Sequence, residues 1–326
     1  MSASHPHGEF QLIRDYFQQQ SLQRTDVPLG IGDDGAVVSV PAGHQLVLVM
    51  DTLVAGVHFP VETPAYDLGW KSLAVNLSDL AAMGAEPAWL TLALTLPQGD
   101  ETWVEEFCRG LFELASAHNV QLIGGDTTRG PLTITVQAHG LVEEGKALLR
   151  SGAAVGDLIY ISGHPGEAAL GLELLQAGQQ QHLSFAYLLS RLNRPEPRLH
   201  LGRALAGIAS ACIDVSDGLL ADLQHICDAS GVGAELQLQQ LPLSADYRAA
   251  ADSEQPYKAA LSGGDDYELL FCVPGQRQAE MERLMEQSEC LLTCIGEITE
   301  GNNIRCLDAN GLEYLPDSLG FNHFVE

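Results

Sequence analysis

The stretch Leu29-Gly30-Ile31-Gly32-Asp33-Asp34-Gly35-Ala36 sets two adjacent carboxylates between glycines, directly ahead of the apolar pair Val37-Val38. Related arrangements return at Met50-Asp51-Thr52, Leu77-Ser78-Asp79-Leu80, Gly124-Gly125-Asp126, Asp214-Val215-Ser216-Asp217-Gly218 and Gly263-Gly264-Asp265-Asp266. Each places aspartate at the edge of an apolar segment, usually beside Gly or Ser. Glycine lets the backbone turn tightly or approach a ligand closely. A single Gly-Asp-Asp reads equally well as a plain turn. Recurrence through one chain points to a shared purpose, and aspartates at the ends of buried strands suit ligand chemistry in α/β folds.

Working outward, apolar periodicity predicts a helix over Glu9–Gln20 and a buried strand over Leu46–Met50 that ends at Asp51. A long helix over Tyr66–Gly84 carries Asp79 inside its most apolar part, with Asn76 one turn earlier on the same face. A lone buried carboxylate there costs roughly several kcal/mol unless paired or metal-bound; an exposed helix face or a cap to a nearby loop is the alternative. Strand Trp89–Leu96, helix Glu101–His118 and strand Val120–Ile123 follow. The last runs into Gly124-Gly125-Asp126-Thr127-Thr128-Arg129-Gly130, read as a loop whose backbone N–H groups could cradle phosphate. No GxxxxGK[ST] of the Walker type occurs.

After a strand over Leu132–Val142, polar and glycine residues from Glu143 to Gly156 mark a boundary, dividing the chain into domains 1–145 and 146–326. Arg150 stands in this junction, either as a ligand contact or as a surface arginine. The second half reads as strand Leu158–Ser162, helices Pro165–Gln176, Phe185–Leu192 and Arg198–Ala206, then strand Ala211–Val215 leading into helix Leu219–Ser230. Ser216 or Asp217 is a natural N-cap for that helix, whereas Asp214 points the other way. Gly263–Glu268 precedes strand Leu269–Val273; a helix to Ser288 and strands around Leu291–Ile298 complete the pattern. Mixed strands and helices in both halves give an α/β or α+β class.

The 326 residues are 46% hydrophobic, enough for proper cores, and carry a net charge of −27 from 16 basic and 43 acidic residues. That balance argues against a nucleic-acid or anionic-membrane surface, which needs clustered Lys and Arg. No run reaches the roughly 18 apolar residues of a membrane span, and Met1–Phe10 has no apolar signal core. Seven cysteines without a CxxC pair read as reduced, buried thiols in a cytoplasmic protein. Aspartates that converge without lysines must recruit cations, because two like charges about 4 Å apart repel by roughly 4 kcal/mol at an effective dielectric near 20. Oxygen ligands on turns suit Mg²⁺, and Mg²⁺ commonly brings phosphate with it. The residues alone therefore point to a magnesium-dependent enzyme acting on phosphates.

The ordered set Ile31-Gly32-Asp33-Asp34, Asp51–Phe59, Val75–Gly84, Ile123–Thr127, Asp214–Gly218 and Ser262–Glu268 resembles the bacterial thiamine-monophosphate kinase family, within the superfamily that includes aminoimidazole ribonucleotide synthetase. The resemblance runs nearly end to end, from Gly8-Glu9-Phe10 to Gly320-Phe321-Asn322-His323-Phe324. It implies ATP-dependent phosphorylation of thiamine phosphate to thiamine diphosphate. It also implies a two-domain aminoimidazole ribonucleotide synthetase-like fold whose N-terminal sheet pairs with its twin in a homodimer. By position, Asp34, Asp51, Asp79, Asp126, Asp214 and Asp217 would hold several Mg²⁺ ions, with Met50 contributing its backbone carbonyl. Gly125, Asp126, Arg150 and Ser216 would contact ATP; His58, Asp265 and Phe321 would contact thiamine phosphate, Phe321 stacking on a ring. Three positions depart from the family pattern. Met50 replaces a hydroxyl residue, Asp265 a glutamate one methylene longer, and His118 a tyrosine expected near the adenine.

Other superfamily members are the nearest rivals. A selenophosphate-synthetase reading would want a reactive cysteine near the N-terminus, yet the first is Cys108; a hydrogenase-maturation reading would want a C-terminal cysteine, yet the sequence closes Phe324-Val325-Glu326. A non-catalytic, divalent-ion-binding scaffold is the rival of another class.

Overall fold

The computed structural model describes residues 13–320. The helix expected over Glu9–Gln20 lies partly outside them, and its described part is a π-helical turn, Ile13–Gln18. Two compact units emerge, one taking the chain to Leu80 with Ala85–Gly145, the other Ala81–Gly84 and the chain from Lys146 on.

The first unit holds four strands, β1 (His44–Val54), β2 (Glu86–Leu96), β3 (Gln121–Arg129) and β4 (Thr133–Glu143), and two helices, α1 (Ala65–Ala82) and α2 (Glu101–Ala117). The sheet order is β1-β4-β2-β3, antiparallel except for the parallel β2/β3 pair. Side chains alternate across a strand, and the register shows the consequence. Leu53 pairs with Ile134, and Ile134 with Leu94; Val136 pairs with Leu92, and Ala138 with Leu90, all buried on one face. Leu80 of α1 lies against Gly140 on that face. The opposite face leaves Leu46, Leu48 and Met50 exposed. At one end of the sheet, Val27 and Val38 pack on the cluster of Ala88, Trp89 and Ile123.

Strand β1 differs from expectation. It continues through Thr52-Leu53-Val54, which pair with Thr135, Ile134 and Thr133, so Asp51 lies within the strand and not at its end. Strand β3 likewise continues through Gly124–Arg129. A register shift after Leu90 absorbs one extra residue, and Gly124 and Gly125 then pair with Thr91 and Leu92. The expected phosphate-cradling loop is therefore a bulged edge strand, its backbone engaged with β2.

The second unit is built on seven strands: β5 (Leu158–Ser162), β6 (Ala211–Asp214), β7 (Gly233–Gln237), β8 (Leu269–Val273), β9 (Leu292–Thr299), β10 (Ile304–Leu307) and β11 (Glu313–Tyr314). Their order is β11-β10-β7-β9-β5-β8-β6, with only β7/β10 parallel. Helices α3 (Glu167–Gln176), α4 (Phe185–Asn193), α5 (Leu199–Leu205), α6 (Leu219–Ser230), α7 (Ala245–Ala250), α8 (Lys258–Ser262) and α9 (Gln278–Gln287) accompany them. One continuous core joins Ile159, Ile161, Ile213, Leu219, Leu223, Leu270 and Ile295. Every residue of β6 and β8 is buried, so Asp214 at the end of β6 is held at 4% exposure. All seven cysteines are free thiols, five of them buried. Among the described residues, no helix is long and apolar enough to cross a membrane.

Candidate active site

In the first unit the acidic stretch Asp33-Asp34 is the tip of a hairpin-like excursion. Leu29 and Val37 exchange backbone hydrogen bonds, and Ser39 N donates to Asp26 O. Asp26 anchors the base of this excursion: Arg24 grips its carboxylate at 2.7 and 2.9 Å, and Trp89 Nε1 donates to it at 3.2 Å. The Arg24 hydrogen bonds hold the Asp26 carboxyl below its usual range, against the opposing effect of burial. Asp33 and Asp34 stand exposed at the tip, where Asp34 N donates to Asp33 Oδ1.

Asp51 and Met50 are neighbours in β1, so their side chains leave on opposite faces. Asp51 shares the face of buried Val47 and Leu53, while Met50 is 63% exposed on the other. The Met50 side chain therefore does not reach the carboxylate of Asp51. Asp126 lies on β3, the opposite edge of the sheet from β1, with two strands between. At about 4.8 Å per strand that separation is roughly 14 Å, so one sheet does not bring these two carboxylates together. Gly125 has φ +156°, and a Cβ there would come within 2.0 Å of the Leu92 carbonyl oxygen. Gly125→Ala is thus expected to disturb the β2/β3 pairing and lower the apparent Tm by about 5–10 °C, checked by thermal unfolding of the ligand-free protein.

His58 follows β1 in a tight turn. Its Nδ1 accepts from Val54 N at 3.0 Å, so Nε2 is left as the site of the ring proton in the neutral imidazole. Asp79 is half-buried in α1 beside fully buried Asn76, Ser78 and Leu80. Asn76 donates to Ser72 O, while its Oδ1 has no hydrogen-bond partner. His118 is the half-buried C-cap of α2.

In the second unit, Asp214, Ser216, Asp217 and Asp265 are drawn together by backbone hydrogen bonds. Asp265 N donates to Ser216 O, Tyr267 N to Val215 O and Val215 N to Glu268 O, each at 2.8 Å. Asp265 and Tyr267 both have positive φ, +67° and +52°, a costly conformation for side-chain-bearing residues. The Tyr267 hydroxyl donates to Asp265 Oδ1 at 3.0 Å. Arg150 is exposed next to Leu149, whose carbonyl accepts from Cys212 N, so this arginine enters beside β6. Phe321 lies outside the described residues.

Neither Ser216 nor Asp217 caps α6. Gly218 is the N-cap and has no side-chain cap bond. Asp222, which sequence reasoning passed over, instead accepts from the N–H groups of Ser216, Asp217 and Gly218. Its position in the first turn was the available signal, since carboxylates there complement exposed N–H groups. Burial pushes the Asp222 carboxyl up to about 7, reinforced by the nearby Asp214 and Asp217 carboxylates and opposed by the backbone N–H groups. These carboxylates are close enough to repel, and all their donor atoms are oxygen. That chemistry fits a hard cation such as Mg²⁺. Among the described residues, no three His, Cys, Asp or Glu side chains gather into a closed metal cage.

Behind this loop lies a buried ionic cluster also missed from the sequence. Glu268, fully buried, accepts from Arg198 at 2.6 and 2.7 Å, Arg191 at 2.8 Å and the Ser162 hydroxyl at 2.5 Å. Burial raises the Glu268 carboxyl, but the two guanidiniums and the hydroxyl outweigh it and leave it below its ordinary value. Neighbouring Asp266 accepts from Gly166 N and Ala168 N at the start of α3; burial prevails there and pushes its carboxyl well up.

Residues 32–142 match the family described as AIR synthase related protein, N-terminal domain, and residues 154–308 its C-terminal domain. The thiamine-monophosphate kinase of Escherichia coli strain K12 is 48% identical over 320 residues, covering 98% of both chains. The crystal structure of thiamine-monophosphate kinase from Stenotrophomonas maltophilia K279a superposes with a TM-score of 0.86 at 47% identity, over 93% of this chain and 98% of that one. A solved structure of AaThiL complexed with AMPPCP and TMP gives a TM-score of 0.78 at 31% identity, covering 97% of each chain. With this identity sustained along nearly its whole length, the chain belongs to the thiamine-monophosphate kinase family, built from the two AIR synthase related domains.

Proposed function

We infer that the chain carries out the reaction its relatives are named for, transferring the γ-phosphoryl group of ATP to thiamine phosphate to give thiamine diphosphate and ADP. The observation that carries this reading is the 48% identity over 98% of both chains to a thiamine-monophosphate kinase. The acceptor's attacking atom is already an ionised phosphate oxygen, so neither a strong general base nor a covalent enzyme intermediate is needed. The obstacle is bringing two polyanions into line, and catalysis then rests on positioning and charge stabilisation. Mg²⁺, when bound, would supply that neutralisation and stabilise charge developing on the transferred group.

We assign Asp34, Asp51, Asp79 and Asp126 of domain 1–145, and Asp214 and Asp217 of domain 146–326, to holding Mg²⁺, with Met50 contributing only its carbonyl. Gly125, Asp126, Arg150 and Ser216 serve ATP, with His118 near the adenine. His58, Asp265 and Phe321 serve thiamine phosphate. The Val54 bond orients His58 so that its Nε2–H can donate to an anionic acceptor. The Tyr267 bond and the strained backbone fix the shorter carboxylate of Asp265. The exposed row Leu46, Leu48 and Met50 supports a homodimer that covers this face. Seven unpaired thiols support a reducing, cytoplasmic setting.

The test incubates the protein with ATP, Mg²⁺ and thiamine phosphate and follows thiamine diphosphate and ADP. The expected result is one ADP per thiamine diphosphate, with free thiamine a poor acceptor because it lacks the anionic oxygen. Equal turnover of free thiamine would overturn the direct-transfer mechanism.

A further inference from the structure

We propose that Asp222 is the positioning residue of the Ser216-Asp217-Gly218 loop: its carboxylate fills the backbone anion nest before α6, so that the loop offers its ligand acidic side chains instead of N–H groups. This rests on the reading that Asp214, Ser216 and Asp217 hold the metal–nucleotide complex.

One oxygen, Asp222 Oδ2, accepts from Ser216 N at 3.0 Å, Asp217 N at 3.1 Å and Gly218 N at 3.2 Å. Consecutive amide N–H groups converging on one point ahead of a helix are the arrangement that ordinarily binds phosphate. Here the chain provides its own acceptor, a carboxyl oxygen four residues beyond Gly218, and keeps it at 3% exposure. The carbonyl side of the loop is engaged as well. Ser216 O accepts from Asp265 N at 2.8 Å, and a Cβ on Gly264 would approach it to 2.5 Å. With the three amides and this carbonyl committed inside the unit, the half-buried Ser216 hydroxyl and Asp217 carboxylate are the groups left to meet a ligand. Carboxylates presented in this way select a cation first, and phosphate follows through it. An unfilled nest would draw the phosphate directly onto the backbone, out of register with the metal.

Two measurements on the full-length protein test this, a Mg²⁺ titration of initial rate and thermal unfolding with and without sulfate. Asp222→Ala empties the nest; Asp222→Asn keeps its size with one neutral oxygen. Loss of a group that orients metal ligands typically weakens metal binding about 10–100-fold. Accordingly, the half-saturating Mg²⁺ should rise about tenfold or more in Asp222→Ala and less in Asp222→Asn, while the KM for thiamine phosphate stays within about threefold. Sulfate should raise the Tm of Asp222→Ala more than that of the parent, because the vacated nest accepts an anion. An unchanged Mg²⁺ requirement in Asp222→Asn, or a sulfate response equal to the parent's in Asp222→Ala, overturns the proposal. If Asp222→Ala does not fold, the Asp222→Asn titration decides alone. Asp217→Asn separates the two levels. Should it leave the Mg²⁺ requirement unchanged, the metal assignment of the loop fails; should it raise that requirement while Asp222→Asn does not, only the positioning role falls.

Discussion

Asp51→Asn is expected to lower turnover by about a hundredfold or more at any attainable Mg²⁺, whereas Met50→Thr, one residue away, should shift the half-saturating Mg²⁺ by less than about threefold. The contrast follows from the strand. Asp51 lies on the face of β1 that also carries buried Val47 and Leu53, and Met50 projects from the opposite face at 63% exposure. A thioether is in any case a poor ligand for a hard cation. Position 50 can therefore serve a metal beside Asp51 only through its carbonyl, which threonine supplies equally, and threonine suits a strand. Asparagine keeps the size of Asp51 but removes the charge, so unfolding should barely change while the rate collapses. The check is a Mg²⁺ titration of initial rate for both variants beside the parent. A large gain in Mg²⁺ affinity from Met50→Thr would show that a hydroxyl at this position joins the metal site after all.

Glu268→Gln carries the largest expected cost in stability, about 3–5 kcal/mol, because it breaks a buried pair from one side only. Arg198 and Arg191 would then face a neutral amide where they now meet a carboxylate within 2.8 Å. For a unit of this size the loss corresponds to a fall in Tm of roughly 10 °C, read by thermal unfolding. The effect should depend on pH in a definite sense. The Glu268 carboxyl titrates lower in the folded protein than its ordinary 4.5. Its contribution is therefore complete above that value and fades as the pH falls through the folded-state range. The gap between parent and variant should be full at neutral pH and shrink under acid. A gap independent of pH would mean that packing, not charge, accounts for Glu268.

The sequence by itself determined the α/β class, most strands and helices, and the recurrence of aspartate at the edges of apolar runs. Those signals are local: hydrophobic period, glycine, and a short polar residue after an apolar stretch. Even the separation of Met50 from Asp51 was latent in the two-residue period of a strand. What only tertiary structure decided was where backbone hydrogen bonds go. Gly124–Arg129 has the composition of a loop, but pairing with β2 draws it into the sheet, and the Leu92 carbonyl explains why Gly125 must lack a Cβ. Ser216 and Asp217 have the chemistry of N-caps, but the helix begins only after Gly218, and Asp222 reaches back to bond the amides of the Ser216-Asp217-Gly218 loop. Strand β11, with two residues, and helices α7 and α8, with six and five, carry too few residues for a clear period. The cluster around Glu268 joins it to Ser162, Arg191 and Arg198, partners 106, 77 and 70 positions away. No local pattern announces such a pairing, because a buried charge is stable only when the fold brings its partners from elsewhere in the chain.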